Sequence, residues 1–147
     1  MGLCVRDLRA SLAFYTEVAG FTVRMAPRRI AGEWFDTLTR NEGAEIEVAM
    51  VELGSFTLQL VHYHAAGASP ILSGHNHPGS PHLSINVGDV DAKHAEVVAS
   101  GQHDPTAIVD ITGAGARSFY VADPDGMPVE FIAMPEPRPA ATRRTIG

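Results

Sequence analysis

A histidine opens one of the most strand-like stretches of the chain, SPHLSINVGDVD at residues 80–91. Side chains alternate between the two faces of a strand, so Leu83, Ile85 and Val87 form an apolar face and His82 lies on the other. An imidazole is a common metal ligand in proteins. His82 is therefore a candidate metal ligand.

Two further strand-like stretches present a ligand-type side chain in the same way. Gln59 stands between two leucines in TLQLVHY, and Glu130 stands between valine and phenylalanine in PVEF. If the sheet curls into a half-barrel, His82, Gln59 and Glu130 converge on its concave side. An imidazole, an amide oxygen and a carboxylate together suit a divalent ion such as Zn²⁺, Ni²⁺, Co²⁺, Mn²⁺ or Fe²⁺. The alternative is that each is a polar residue satisfied by hydrogen bonds in a wet cleft.

The elements that must hold these residues follow a definite order in the first half. Leu3–Val5 is strand-like, and Asp7 is a good N-cap for a helix predicted over Leu8–Val18, which ends at Gly20. Period-2 patterns then predict three strands, at 21–25, 45–53 and 55–63.

The second half repeats this plan. A strand is predicted over His82–Val87, and Asp89 caps a helix over Val90–Ser100 that Gly101 ends. Three strands follow, at 107–111, 118–122 and 128–134, and the turn between the last two has the sequence DPDG.

The two halves can be overlaid at single residues. Val87 and Asp89 each lie 82 positions after Val5 and Asp7, and Gly101 lies 81 positions after Gly20. The shared order of elements indicates an internal duplication of a βαβββ unit.

Composition excludes several classes of function. A net charge of −6 argues against general nucleic-acid binding, which needs a basic face. No apolar run is long enough to span a bilayer, so no membrane partner is expected. The single cysteine, Cys4, rules out an intrachain disulfide framework and fits a cytoplasmic location. The Pro-rich and basic tail, residues 136–147, is expected to be mobile.

Three segments of the chain resemble a known protein family. VRDLRASLAFYTEVAGF, SPHLSINVGDVDA and SFYVADPDGMPVEF resemble the vicinal oxygen chelate superfamily, which includes glyoxalase I, methylmalonyl-CoA epimerase, extradiol dioxygenases and the fosfomycin and bleomycin resistance proteins. The resemblance implies an α+β fold in which two tandem βαβββ modules, about 1–65 and 80–135, form a cupped mixed sheet with helices on the outer face. The whole chain, 1–147, would be one such domain.

The same resemblance implies a metal centre. His82 matches the family ligand on the first strand of module two, Glu130 the ligand on its last strand, and Gln59 the last-strand ligand of module one. Glutamine at this position is more similar to the epimerase pattern than to the bacterial glyoxalase pattern.

A fourth family ligand has no counterpart in this chain. The internal repeat places the partner of His82 one residue before Met1. Three explanations stay open: a natural start further upstream, a metal bound by three protein ligands, or a metal-free ligand pocket as in the bleomycin-resistance branch. Cys4 would share the face of the missing residue and could line the cavity, although a lone cysteine is more often a small buried hydrophobe.

Aromatic residues supply the candidates for substrate binding. Trp34 and Phe35 lie in a segment between two strands that could cover the mouth of the cup, or could be a loop anchored by aromatic packing. Tyr63, Tyr120 and Cys4 complete this candidate set.

The resulting expectation is a metal-dependent lyase or isomerase that acts on a small substrate with adjacent oxygens. The resemblance also implies a homodimer. Glu130 is the candidate for proton transfer, and the metal would stabilise negative charge on a substrate oxygen. Two alternatives stay open: an Fe²⁺ oxygenase, which needs a second histidine, and a metal-free binding or resistance protein.

Overall fold

Two βαβββ units follow one another along the chain, as the internal repeat predicted, and the first contains one additional helix. The computed structural model describes residues 1–65 and 75–135. Module one contains, in order, β1 (Gly2–Cys4), α1 (Leu8–Ala13, continued as a π-helical turn over Phe14–Val18), β2 (Thr22–Ala31), α2 (Glu33–Thr39), β3 (Glu45–Leu53) and β4 (Phe56–Tyr63). Module two contains β5 (Leu83–Asn86), α3 (Val90–Ser100), β6 (Val109–Ile111), β7 (Ala116–Ala122) and β8 (Pro128–Ala133).

Each module forms its own four-stranded mixed sheet. The strand orders are β1-β4-β3-β2 and β5-β8-β7-β6, so the two sheets have the same topology. In both, the first strand pairs in parallel with the last, and all other pairs are antiparallel. The α+β fold with two tandem modules is therefore confirmed.

The duplicated capping residues explain why a helix follows the first strand in each module. Asp7 accepts hydrogen bonds from the backbone of Arg9 and Ala10, and Asp89 accepts one from Ala92. Each carboxylate satisfies donors that the first helical turn leaves free.

The helix-side faces of both sheets contribute to one hydrophobic core. Leu58 and Leu60 of β4 and Val129 and Phe131 of β8 are fully buried within it. The face of each sheet turned away from α1 and α3 is called the inner face below. By alternation it carries Gln59 in the first sheet.

Polar contacts also join the modules. The Arg6 guanidinium donates to Asp125 at 2.7 Å, and the buried Tyr15 hydroxyl donates to Asp123 at 2.9 Å. Both acidic residues belong to the predicted DPDG turn between β7 and β8.

Module one departs from its predicted elements in one region. The strand predicted over 21–25 extends to Ala31, with register shifts between Val23 and Arg28, and α2 was not predicted. Ala26–Pro27 lies at the second shift, where an irregular edge strand tolerates a residue without an amide proton. Among the described residues, no helix is long and apolar enough to cross a membrane.

The expected mobile tail, 136–147, lies outside the described residues.

Candidate functional site

A carboxylate held by two serine hydroxyls lies on the inner face of the second sheet. Glu130 projects from β8, the strand that lies between β5 and β7. The Ser84 hydroxyl on β5 donates to its Oε2 at 2.8 Å, and the Ser118 hydroxyl on β7 donates to its Oε1 at 2.7 Å. Glu130 itself is only half-buried, so the carboxylate is held in place while it remains open to a ligand.

Aromatic rings lie beside this carboxylate. Tyr120 stands directly opposite Glu130 in the β7–β8 pairing. Burial, followed by the charge of Glu130 and a hydrogen bond to it, raises the pKa of the Tyr120 hydroxyl. The Tyr120 ring centroid lies 6.3 Å from that of His82 and 5.0 Å from that of His75. Tyr120 thus links the carboxylate to two imidazoles.

Gln59 occupies the equivalent place in the first sheet. It stands opposite Gly2 on β1 and Met50 on β3, just as Glu130 stands opposite Ser84 and Tyr120. Among the described residues, its side chain makes no hydrogen bond to His82 or Glu130. The structure therefore brings His82, Tyr120 and Glu130 into one cluster, and it places Gln59 at the repeat-related position of the other module.

The inner face of the first sheet is apolar where that of the second is polar. A second hydrophobic cluster lies there, beneath α2; it consists of Phe35, Ala44, Ile46 and Val48, with Met25, Ile30, Val61 and Tyr63 packed against it. This cluster fixes α2 on the sheet.

The aromatic candidates in module one therefore lie in different surroundings. Phe35 is buried in the cluster, and half-buried Tyr63 packs against it. Trp34 is 61% exposed, and its ring makes an edge-to-face contact with Phe35 at 5.6 Å. Phe35 anchors the segment, and Trp34 is the aromatic residue of α2 that remains accessible.

Cys4 lies at the end of β1 and is exposed, so it is not a buried hydrophobe. Partial burial, and then the negative charge of Asp125, raises the pKa of its thiol. Its thiol is therefore a weaker nucleophile than an ordinary cysteine at neutral pH.

The predicted donors are chemically compatible with a divalent ion, but few metal-binding side chains lie close together. Across residues 1–65 and 75–135, no group of three or more histidine, cysteine, aspartate or glutamate side chains could hold a metal ion. His82, Glu130 and the amide oxygen of Gln59 are the donors that the sequence predicted. A carboxylate has about four acceptor sites, so the two serine hydroxyls leave Glu130 free to bind a further partner.

Ser84 and Ser118 were missed as functional residues by the sequence reasoning. Alternation places Ser84 on the same face as His82, which is a signal that the sequence contains. Ser118 offers no such signal, because its contact with Glu130 depends on the β7–β8 register.

Comparison with known proteins agrees with this architecture. Residues 1–131 match the family model of the Glyoxalase/Bleomycin resistance protein/Dioxygenase superfamily. A 2-epi-5-epi-valiolone epimerase from an Actinomyces species is 34% identical over 142 residues, which cover 92% of this chain and 78% of the relative. The chain therefore belongs to this superfamily, and the predicted resemblance is confirmed.

Solved structures show the same fold. A glyoxalase family protein from Bacillus cereus superposes with a TM-score of 0.79 at 17% identity, covering 91% of each chain. A lactoylglutathione lyase from Agrobacterium tumefaciens superposes with a TM-score of 0.59 at 22% identity, covering 90% of each chain. Members of this superfamily commonly bind divalent metals.

Proposed function

We propose that the protein is an epimerase that inverts a carbon atom next to the carbonyl group of a small hydroxylated ketone. The observation that carries this proposal is the Glu130 carboxylate, which is fixed on the inner face beside Tyr120 and His82. The 34% identity with an epimerase that is named for a valiolone supports the reaction and the class of substrate.

The proposed chemistry is proton removal and return at that carbon atom. Glu130 accepts the proton, because a carboxylate on an accessible strand face can reach a bound substrate and acts as a general base. Negative charge then develops on the substrate oxygen, where hydrogen-bond donors lower the energy of the transition state. The Tyr120 hydroxyl is such a donor, because it stands opposite Glu130 in the strand pairing and a tyrosine hydroxyl keeps its proton at neutral pH. Glu130 then releases its proton to solvent, and a solvent proton delivered to the opposite face of the planar carbon atom gives the epimer.

A divalent metal ion is part of this proposal. The residues that would hold it are His82, Glu130 and Gln59, and the donor set of one imidazole, one carboxylate and one amide is chemically suitable. When bound, the ion would act as a Lewis acid and stabilise the charge on the substrate oxygen.

Proton exchange in D₂O tests the reaction. Wild-type protein, freed of metal and then supplied with Zn²⁺, Ni²⁺, Co²⁺, Mn²⁺ or Fe²⁺, is incubated with 2-epi-5-epi-valiolone. Proton NMR follows deuterium entry next to the carbonyl and the appearance of the epimer. Glu130→Gln should lower the rate by about 100-fold to 10,000-fold, as expected for loss of a general base.

A matched carboxylate provides the control. Glu47 is also half-buried on a strand, but it shares the helix-side face of the first sheet with Ala49. Glu47→Gln should leave the exchange rate within about twofold of wild type, because Glu47 lies in the other sheet and on its helix-side face. An active Glu130→Gln protein would overturn the assigned base.

Metal analysis tests the proposed ligands separately. The amount of Zn²⁺ bound per chain is measured by inductively coupled plasma mass spectrometry for wild type, His82→Ala and Glu130→Ala. Stoichiometric metal that survives both substitutions would contradict this site.

The second candidate is a protein that binds a small molecule without turning it over. The lack of three clustered acidic, histidine or cysteine side chains in the described parts of the chain favours it. It predicts saturable binding of the ketone by calorimetry with no deuterium exchange under any metal condition.

A further inference from the structure

We propose that Ser84 and Ser118 are positioning residues that fix the orientation of the Glu130 carboxylate for proton transfer. These two hydroxyls are called the serine clamp below. The proposal rests on the function proposed above and assigns to it two residues that bind Glu130 and lie outside the proposed ligand set.

The geometry of the serine clamp is complete on both sides. One hydroxyl comes from each neighbouring strand, and each binds a different oxygen of Glu130, at 2.8 Å for Ser84 and 2.7 Å for Ser118. Hydrogen bonds from hydroxyl groups to an ionised carboxylate are among the stronger ones in proteins. With both oxygens held, rotation of the carboxylate about its terminal bond breaks at least one of these bonds.

Burial separates the roles of the two serines. Ser118 is 2% exposed, so water could not replace Glu130 as the hydrogen-bond partner of its hydroxyl. Ser84 is exposed and could be solvated, yet its hydroxyl also points at Glu130. The buried donor fixes one oxygen, and the exposed donor aligns the other.

Module one provides an internal comparison. The residue equivalent to Glu130 is Gln59, and the residues at the two clamp positions are Gly2 and Val48, neither of which carries a hydroxyl. The duplicated sheet thus has hydroxyl donors where it carries a carboxylate and none where it carries an amide. If the fold itself required polar residues at these positions, both modules would carry them.

The consequence is an effect on rate more than on binding. A base that can rotate spends only part of its time aligned with the carbon–hydrogen bond, and small misplacements at a reacting centre cost up to about 100-fold in rate. Substrate affinity depends mainly on other contacts. Loss of the clamp should therefore lower kcat and leave KM nearly unchanged.

Serine variants test this split. Ser84→Ala and Ser118→Ala should each lower kcat by about tenfold or more, with KM within about threefold, as for partners that orient a functional group. Ser84→Thr keeps the hydroxyl at an exposed strand position and should restore most of kcat. Ser55→Ala, an exposed serine in the turn between β3 and β4, is the matched control and should behave as wild type.

A second measurement does not depend on turnover. In protein carrying ¹³C at the glutamate carboxyl carbons, the Glu130 signal is assigned by its loss in Glu130→Gln. Each serine-to-alanine substitution should shift this signal, whereas Ser84→Thr and Ser55→Ala should not.

The outcomes separate the two proposals. A Glu130 signal that stays in place in both alanine variants overturns the serine clamp. A shifted signal with unchanged kcat overturns its role in proton transfer. Wild-type protein that shows no exchange overturns the epimerase and the catalytic role together, and the carboxyl signal still decides whether the clamp exists.

Discussion

The hydrogen bond between Tyr15 and Asp123 allows a quantitative test of how the two modules are held together. Tyr15 lies in the π-helical turn after α1 and is fully buried, and its hydroxyl donates to Asp123 Oδ2 at 2.9 Å. The other carboxylate oxygen, Oδ1, accepts from the backbone amides of Asp125 and Met127 at 2.9 and 2.7 Å. Tyr15→Phe removes only the hydroxyl and leaves a buried carboxylate with one oxygen unpaired.

The expected loss follows from the kind of bond that is removed. A hydrogen bond to a charged group contributes about 1.5–3 kcal/mol, and the carboxylate oxygen left unpaired inside the protein places the change within that range or above it. We expect a loss of about 2 kcal/mol in the free energy of unfolding. For a chain of this size that corresponds to a fall in Tm of about 6 °C.

Urea denaturation followed by circular dichroism measures this loss. The midpoint should fall with no change in slope, because the surface exposed on unfolding stays the same. Tyr63→Phe is the control: Tyr63 is half-buried, and its hydroxyl makes no hydrogen bond among the described residues, so the loss should be below about 0.5 kcal/mol. A Tyr15→Phe protein as stable as this control would refute the reasoning.

Alkaline pH provides an independent arm of the same test. Burial, and then the charge of Asp123, raises the pKa of the Tyr15 hydroxyl above its usual value of about 10. Below that value both folded and unfolded chains hold the proton, and the stabilisation is fully present. Above it the unfolded chain releases the proton first, so stability falls as pH rises. Tyr15→Phe should lose less stability than wild type between pH 10 and 11.

Two further predictions concern α3. Asp89→Ala removes the N-cap that binds the Ala92 amide and should lower the free energy of unfolding by about 1 kcal/mol in urea titrations, whereas Asp89→Asn should keep most of it. Gly101→Ala should lower the free energy of unfolding by about 1 kcal/mol, because Gly101 has a φ of +64°, which an alanine adopts only with strain. The new Cβ itself would meet no atom within 4 Å. An unchanged melting temperature would show that the backbone adopts another conformation there.

Local signals in the sequence were sufficient for the elements that depend on near neighbours. The helix predicted over Val90–Ser100 has those bounds in the structure, because Asp89 and Gly101 determine its ends through the backbone next to them. The helix predicted over Leu8–Val18 is also helical throughout, although its second half is π-helical.

The elements that were predicted wrongly are those whose conformation depends on contacts with residues far away in the sequence. The segment after Met25 continues as β2 because it pairs with β3, and α2 is held by the apolar cluster around Phe35. A helix of seven residues is too short to be stable on its own, so its own sequence gives little signal.

In the candidate site, too, some features could be predicted from local sequence and others depended on the tertiary structure. Alternation along single strands was enough to predict the face on which Gln59 and Glu130 lie, because a strand directs its side chains with a period of two. His82 lies one residue before β5, and its ring centroid is 6.3 Å from that of Tyr120. The sequence also determined the duplication, since Val5 and Val87 can be matched by counting. Only the tertiary structure showed that Ser84 and Ser118 bind Glu130, because that contact depends on the register of three strands from distant parts of module two. Register is decided by the packing of whole sheets, which no single stretch of sequence contains.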